Sequence, residues 1–206
     1  WFDDLSFEEV EVPTAGALKN PGFEDGPTGN AYILSGTDDL PNWTWGGGTC
    51  AGFVVSDYAQ SGAQSLALTW PGNYMLQDFT AEPGEQYVLS GYLFTPSGAN
   101  RFSSDGSSCG MLTIAYYVDG ASQPVPGHTC STEPFTIANP ADIWTRFCVT
   151  STVPVPADPL STVIGRVGCT ILSEDPDADL SLGGVIYFDS LCVEIANLSS
   201  SGNTYY

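Results

Sequence analysis

The chain has 206 residues, with 24 Asp and Glu against 4 Lys and Arg and a formal net charge of −20. A surface of that charge repels phosphate backbones and anionic lipid headgroups, which excludes nucleic acid and membrane surfaces as partners. No apolar run approaches the roughly 20 residues of a membrane-spanning helix, and a hydrophobic content of 42% is too high for a disordered acidic tail.

Alternation of apolar and polar residues with period two predicts strands along most of the chain. In chain order, the predicted strands cover residues 51–56, 64–70, 73–79, 86–94, 111–118, 143–151, 161–172 and 185–196. Clusters of Pro, Gly, Asp, Ser and Asn separate them and provide turns. Many short strands without a helical segment predict an all-β fold, a jelly-roll β-sandwich.

Two motifs at the ends of this region resemble one type of carbohydrate-binding module. The opening motif is Leu18-Lys-Asn-Pro-Gly-Phe-Glu-Asp-Gly26, and the closing motif is Ile186-Tyr-Phe-Asp-Ser-Leu-Cys-Val193. Between them lie Asn42-Trp-Thr-Trp45, Ser61-Gly-Ala-Gln-Ser-Leu66, Gln86-Tyr-Val-Leu-Ser-Gly91 and Trp144. This succession resembles the jelly-roll modules of the Asn-Pro-Gly-Phe-Glu type, which are often appended to xylanases and glucanases. The resemblance covers about residues 17–196.

The resemblance also implies a structural calcium ion that ties the opening turn to the last strand. Carried over by position, its side-chain ligands are Glu24 and Asp189. Carboxylate and backbone carbonyl oxygens are the ligands that Ca²⁺ prefers. The alternative is that Glu24 and Asp25 only cap a turn.

A second calcium candidate is the acidic segment before the last strand. Asp175, Asp177 and Asp179 provide carboxylates at alternate positions, as at the start of a calcium loop. Leu180, however, stands where a helix–loop–helix calcium site has glycine. An ordinary acidic loop is therefore the alternative.

Cysteine usage indicates the compartment. Six cysteines are present without a Cys-x-x-Cys pair, and they are Cys50, Cys109, Cys130, Cys148, Cys169 and Cys192. An even number without metal-ligand spacing predicts up to three disulfides in an oxidising compartment, with free buried thiols as the alternative. Because the chain also opens at Trp1 rather than Met, we expect a secreted, processed protein.

The N-terminal segment resembles the last predicted strand. Trp1-Phe-Asp-Asp-Leu-Ser-Phe-Glu-Glu-Val10 aligns with Tyr187-Phe-Asp-Ser-Leu-Cys-Val-Glu-Ile-Ala196. A sandwich has one place for its closing strand, so the N-terminal copy belongs to a preceding module, forms an extra edge strand, or adds to the sheet of a neighbouring subunit. The third possibility predicts a head-to-tail filament. Its anchor residues would be Leu5, Phe7, Val10 and Val12.

These patterns divide the chain into an N-terminal extension strand with a hinge (1–16), a jelly-roll β-sandwich (17–197) and a tail (198–206). We expect a calcium-stabilised subunit of an extracellular filament. The alternative is a glycan-binding module clipped from a larger secreted enzyme or adhesin. Its sugar-stacking platform would include Trp43, Trp45 and Trp144, although aromatic residues at strand spacing also fit a core.

Candidate catalytic groups are few. His128 is the only histidine and lies in a turn-like stretch. Gly106-Ser-Ser-Cys-Gly110 matches the motif of a serine nucleophile but lacks the flanking strand and helix that this motif requires. We therefore expect no enzyme activity.

Overall fold

The computed structural model describes residues 18–26, 31–33, 40–46, 52–69, 71–102, 108–173 and 184–196. These residues form two antiparallel sheets, packed face to face as a β-sandwich. The 3-10 turn Gly98–Asn100 is the one helical element within these ranges. None of their helices is long and apolar enough to cross a membrane. The predicted all-β jelly-roll fold class is confirmed.

The strands of both sheets are numbered together in chain order, and the first sheet has six of them. From edge to edge they are β1 (Ala31–Ile33), β3 (Gly52–Val55), β4 (Ser65–Leu68), β11 (Ile186–Ile195), β6 (Gln86–Phe94) and β9 (Thr145–Thr152). The closing strand β11 lies inside this sheet, between β4 and β6. A bulge interrupts its pairing with β6 between Asp189 and Cys192, where Ser190 has a φ of 51°.

The second sheet has five strands. From edge to edge they are β2 (Thr44–Gly46), β5 (Tyr74–Thr80), β10 (Val163–Ser173), β7 (Ser108–Val118) and β8 (Thr129–Ser131). The sequence did not predict β1, β2 and β8, because strands of three residues are too short to show an alternation. The other eight strands lie where the alternation placed them.

Inward-facing residues of both sheets form one hydrophobic core. Its largest fully buried side chains are Tyr87, Tyr116, Phe23, Phe102, Phe135 and Phe188. The opening motif reaches this core through Phe23, whose ring lies 5.1 Å from that of Trp43. Gln77 holds the start of the motif in place, since its side chain accepts a hydrogen bond from Lys19 N (2.6 Å) and donates one to Lys19 O (2.8 Å).

The expectation of up to three disulfides is not supported. Cys130, Cys148, Cys169 and Cys192 are free thiols in the described part of the chain. Cys148 and Cys192 both lie opposite Ser90, on the two strands that flank it. Two strand spacings separate their Cα atoms by about 10 Å, beyond the ~7 Å that a disulfide spans. An even cysteine count does not reveal such a separation.

Several predicted features lie outside the described residues. These are the proposed anchors Leu5, Phe7, Val10 and Val12, the acidic segment with Asp175, Asp177 and Asp179, and Cys50. The extension strand, the filament and the second calcium loop therefore stay predictions.

Candidate functional site

The outer surface of the five-stranded sheet is the candidate site, and we call it the five-strand face. Alternation along β5 turns Met75, Gln77 and Phe79 inward, and Tyr74, Leu76 and Asp78 outward. The outward residues of the neighbouring strands complete the face; they are Ile164, Arg166, Gly168 and Thr170 on β10 and Met111, Thr113, Ala115 and Tyr117 on β7. The face thus combines two tyrosines, an ion pair and small polar side chains.

The Tyr74 ring packs over the backbone of the edge strand β2. Gly46 is its neighbour on β2, and a Cβ atom placed on Gly46 would overlap the ring atoms Cε2 and Cζ and lie 2.7 Å from the hydroxyl oxygen. Glycine at this position therefore allows the ring to rest on the backbone of the adjacent strand. Tyr74 is only partly buried, so the side chain keeps some contact with solvent. A partly exposed aromatic ring on a sheet surface is a suitable element for stacking against a sugar ring.

Arg166, Asp78 and Tyr117 form a polar cluster at the other end of the face. The Arg166 guanidinium donates through Nε to Asp78 Oδ1 (2.6 Å) and through Nη2 to Asp78 Oδ2 (2.8 Å). Its Cζ atom lies 4.6 Å from the centroid of the Tyr117 ring. The Asp78 carboxylate raises the pKa of Arg166 further above its already high value. The bidentate pairing fixes both side chains in place while leaving them partly exposed, with side-chain exposures of 35% and 48%.

Gly168 lies between the two tyrosines, opposite Leu76 on one side and Thr113 on the other, and the side chains of both neighbours pack over it. Tyr74 pairs with Thr170, and Tyr117 pairs with Ile164, so six residues of β10 separate the two tyrosines along the strand direction. At the rise of a β-strand this is about 20 Å, a span that suits an oligosaccharide better than a single sugar.

The structure separates the three tryptophans that the sequence placed in one platform. Trp43 and Trp45 are 5% and 6% exposed, and the indole Nε1 of Trp43 donates to Asn20 O (2.9 Å). The expectation that they stack on a sugar is therefore wrong, because their ring faces are covered by the core. Trp144 lies on the outer face of the six-stranded sheet, 5.1 Å from Phe94. That ring is partly exposed, on the opposite side of the molecule from Tyr74.

Glu24 and Asp189 come together, as the resemblance implied. A Cβ atom on Gly22 would lie 3.5 Å from Asp189 Oδ1 and 3.9 Å from Glu24 Oε1. The turn at residues 60–64 directs its backbone amides at both carboxylates. Glu24 Oε1 accepts from Ala63 N and Gln64 N (3.0 Å each), and Asp189 Oδ2 accepts from Gln60 N (2.6 Å) and Ser61 N (3.1 Å).

Asp189 is a fully buried carboxylate. Burial raises its pKa, whereas the hydrogen bonds from the amides of Ser61, Gln60 and Ser190 act in the opposite direction. No third His, Cys, Asp or Glu joins the pair within the described ranges. The other oxygens nearby belong to the hydroxyls of Ser61 and Ser190, 2.7 Å apart, and to the Gln60 amide, 2.8 Å from Ser190 Oγ. This donor set contains only oxygen, and so it fits Ca²⁺ in its chemistry.

No protein-family model matches this sequence, and no curated protein matches it. Solved structures do match. The xylan-binding module CBM22-2 of Paenibacillus barcinonensis Xyn10C covers 85% of this chain and 97% of its own, at 13% identity and a TM-score of 0.57. The fold is therefore that of a carbohydrate-binding module. The tandem of modules CBM22-1 and CBM22-2 from the same Xyn10C matches 87% of this chain with 50% of its own, at 14% identity and a TM-score of 0.59.

Sequence reasoning missed most of the five-strand face. It did not single out Asp78, Arg166 and Tyr117. The available signal was Arg166, one of only 4 basic residues, in the middle of an otherwise apolar strand. A charge at that position has to face outward, which marks the exposed side of β10 and of its neighbours.

Proposed function

We propose that this chain is a non-catalytic glycan-binding module that binds a linear, neutral polysaccharide along the five-strand face. The observation that carries this proposal is the partly exposed Tyr74 ring packed over Gly46 on the surface of the sheet. Tyr117 supplies a second ring at the far end of the face, with the Arg166 guanidinium over one side of it. The Asp78 carboxylate and the Arg166 guanidinium supply fixed hydrogen-bonding groups beside it.

The charge of the molecule limits the glycan to a neutral one. The net charge is −20, and the one basic group placed in the five-strand face is already paired with Asp78. An acidic polysaccharide would meet a repulsive field and no unpaired cation on this face. Because xylan is bound by a module of the same fold, it is the first polysaccharide to test. A module for such polymers works outside the cytoplasm, which agrees with an extracellular location.

Affinity electrophoresis tests this proposal. We expect retardation in gels that contain xylan or mixed-linkage β-glucan and none in gels with polygalacturonate. Tyr74→Ala should remove the retardation. Tyr58→Ala is the matched control, because Tyr58 is a half-exposed tyrosine at the opposite sheet, 4.8 Å from Phe94. Mobility that is unchanged in every gel, or lost equally in both variants, would overturn the proposal.

Calcium binding at Glu24 and Asp189 is a second part of the proposal. Glu24 Oε2 accepts no hydrogen bond from the described residues, and the Asp189 carboxylate is buried without a basic side chain beside it. A bound Ca²⁺ would compensate the buried charge and tie the opening turn to β11. Thermal unfolding with added Ca²⁺ or with a chelator measures this effect. We expect Ca²⁺ to raise the Tm of the native chain but not that of Glu24→Gln. An equal response of both proteins would refute this site.

The filament has no support from the fold or from the comparisons. Solved modules of this fold are described as carbohydrate-binding domains, and the donor residues lie outside the described ranges.

A further inference from the structure

Strand β9 is a long edge strand of the six-stranded sheet that the described residues form. It has eight residues, Thr145–Thr152, and pairs only with β6 among the described strands. An exposed edge strand offers its unpaired amides and carbonyls to any other strand, and proteins usually protect such an edge. The protection is slight here, since the strand is regular and Arg146 is its only charged residue.

The hydrogen bonds show which residues of β9 point outward. Val153 N donates to Glu85 O (2.9 Å), and these residues are aligned in the register of β6 with β9. Hydrogen-bonded pairs alternate along antiparallel strands. The odd-numbered residues of β9 therefore bond to β6, whereas Arg146, Cys148 and Thr150 direct their amides and carbonyls away from the sheet.

Two further hydrogen bonds agree with this assignment. Ala196 N donates to Gln86 O (2.7 Å), so the even-numbered residues of β6 bond to β11 and leave its odd-numbered residues for β9. On the outer side of β9, the carbonyl of Thr152 meets His128 Nδ1 at 3.0 Å. No other described residue bonds to the outward backbone groups of Arg146, Cys148 or Thr150.

We propose that this edge pairs with the same edge of a second copy, antiparallel and about a two-fold axis, to form one continuous sheet across a dimer. The residues along this edge are compatible with a second copy as the occupant, even though two acidic chains repel each other overall. The chain has 24 acidic residues, yet none lies on β9. Two copies can therefore bring these strands together without placing carboxylates opposite each other. Such an isologous contact closes on itself and yields a dimer rather than a filament.

The outward residues also determine the register. An outward-pointing residue has to pair with another outward-pointing residue. Cys148 can then face Arg146, Cys148 or Thr150 of the second copy. Facing Thr150 places Thr152 opposite Arg146, although the Thr152 carbonyl already bonds to His128, and facing Arg146 places Thr150 opposite residue 144, outside the strand. The register that pairs all three outward residues within β9 places Cys148 opposite Cys148 and Arg146 opposite Thr150.

The dimer has a consequence for glycan binding, which rests on the proposed function. A two-fold axis perpendicular to the shared sheet places both five-stranded sheets on the same side of it. Both five-strand faces would then point in one direction. A polysaccharide surface could engage them together, which raises avidity without any new contact to the sugar.

Sedimentation velocity and oxidative cross-linking test the dimer without any glycan. We expect a concentration-dependent dimer that salt strengthens, because salt screens the repulsion between two highly acidic copies. Copper–phenanthroline, as the oxidant, should take two electrons and two protons from the paired Cys148 thiols and form a disulfide-linked dimer. Cys148→Ser should abolish this product. Cys192→Ser is the matched control and should retain it, because Cys192 lies on the same face of the sheet, away from the edge.

A pair of charge variants tests the register separately. Thr150→Lys places a lysine opposite Arg146 of the second copy twice per dimer, and Thr150→Glu places a glutamate there. The like-charge pairs of Thr150→Lys should weaken the dimer, and the opposite-charge pairs of Thr150→Glu should strengthen it. The dissociation constant of the dimer should change by about 2- to 30-fold in each case. A general effect of net charge predicts the reverse order, because the lysine lowers the net negative charge. A chain that stays monomeric at its highest soluble concentration would mean that no second copy covers this edge. Either that result or the reversed order overturns the proposal.

Discussion

Replacement of Gly46 by alanine tests whether the position of the Tyr74 ring, rather than its mere presence, creates the sugar-binding surface. A Cβ atom on Gly46 would overlap the ring atoms Cε2 and Cζ, so the ring has to lift from the backbone of β2. One face of a tyrosine ring offers about 60 Å² of apolar surface, roughly a third of what an aromatic side chain buries. At 25 cal/mol per Å² this is worth about 1.5 kcal/mol, or roughly tenfold in Kd.

Isothermal titration with a soluble xylo-oligosaccharide measures the loss. We expect Gly46→Ala to bind about tenfold more weakly while its near-ultraviolet circular dichroism shows an intact core. Thr44→Ala is the matched control, because Thr44 lies two residues earlier on the same strand and the same face, opposite Leu76. An unchanged Kd in Gly46→Ala, together with lost binding in Tyr74→Ala, would show that the resting position of the ring does not matter.

Three other predictions concern stability and the thiols. Gly62→Ala should lower the free energy of urea unfolding by about 2–4 kcal/mol, because Gly62 has a φ of +68° and a Cβ there would push Glu24 away from the amides that donate hydrogen bonds to it. Gly98→Ala, with a φ of +83° and nothing within 4 Å, should cost only about 1–2 kcal/mol. Equal losses in the two variants would contradict the role of Glu24. Burial raises the pKa of Tyr116 to about 12, so the folded state holds the hydroxyl proton more tightly than the unfolded chain does. The free energy of unfolding should therefore fall by up to about 2–3 kcal/mol as the pH rises from 10 to 12. Tyr116→Phe should flatten that decline in urea titrations, and an equally steep decline would exclude Tyr116 as its cause. Iodoacetamide should modify the exposed Cys148 in the native protein and the fully buried Cys169 only after unfolding. If Cys148 resists the reagent in the native protein, its thiol is engaged in a disulfide.

Local patterns in the sequence determined the fold class and most strands. The alternation in Gln86–Phe94 and in Met111–Val118 specifies two-faced strands wherever it occurs, because successive side chains of an extended chain point to opposite sides. The same pattern does not reveal which side is covered. Trp45 and Tyr74 are both aromatic residues in strands, yet one is 6% exposed and the other is half-buried on the outer face.

Only the tertiary structure decided which distant residues meet. The approach of Glu24 to Asp189 was expected from a resemblance, but the turn at residues 60–64 that holds both carboxylates was not. The pairing of Asp78 with Arg166 depends on the register between β5 and β10, which a shift of one residue would abolish. The position of β9 at the edge of the described sheet likewise depends on the order of the strands. Such features arise from contacts between segments far apart in the chain, and no local preference encodes them.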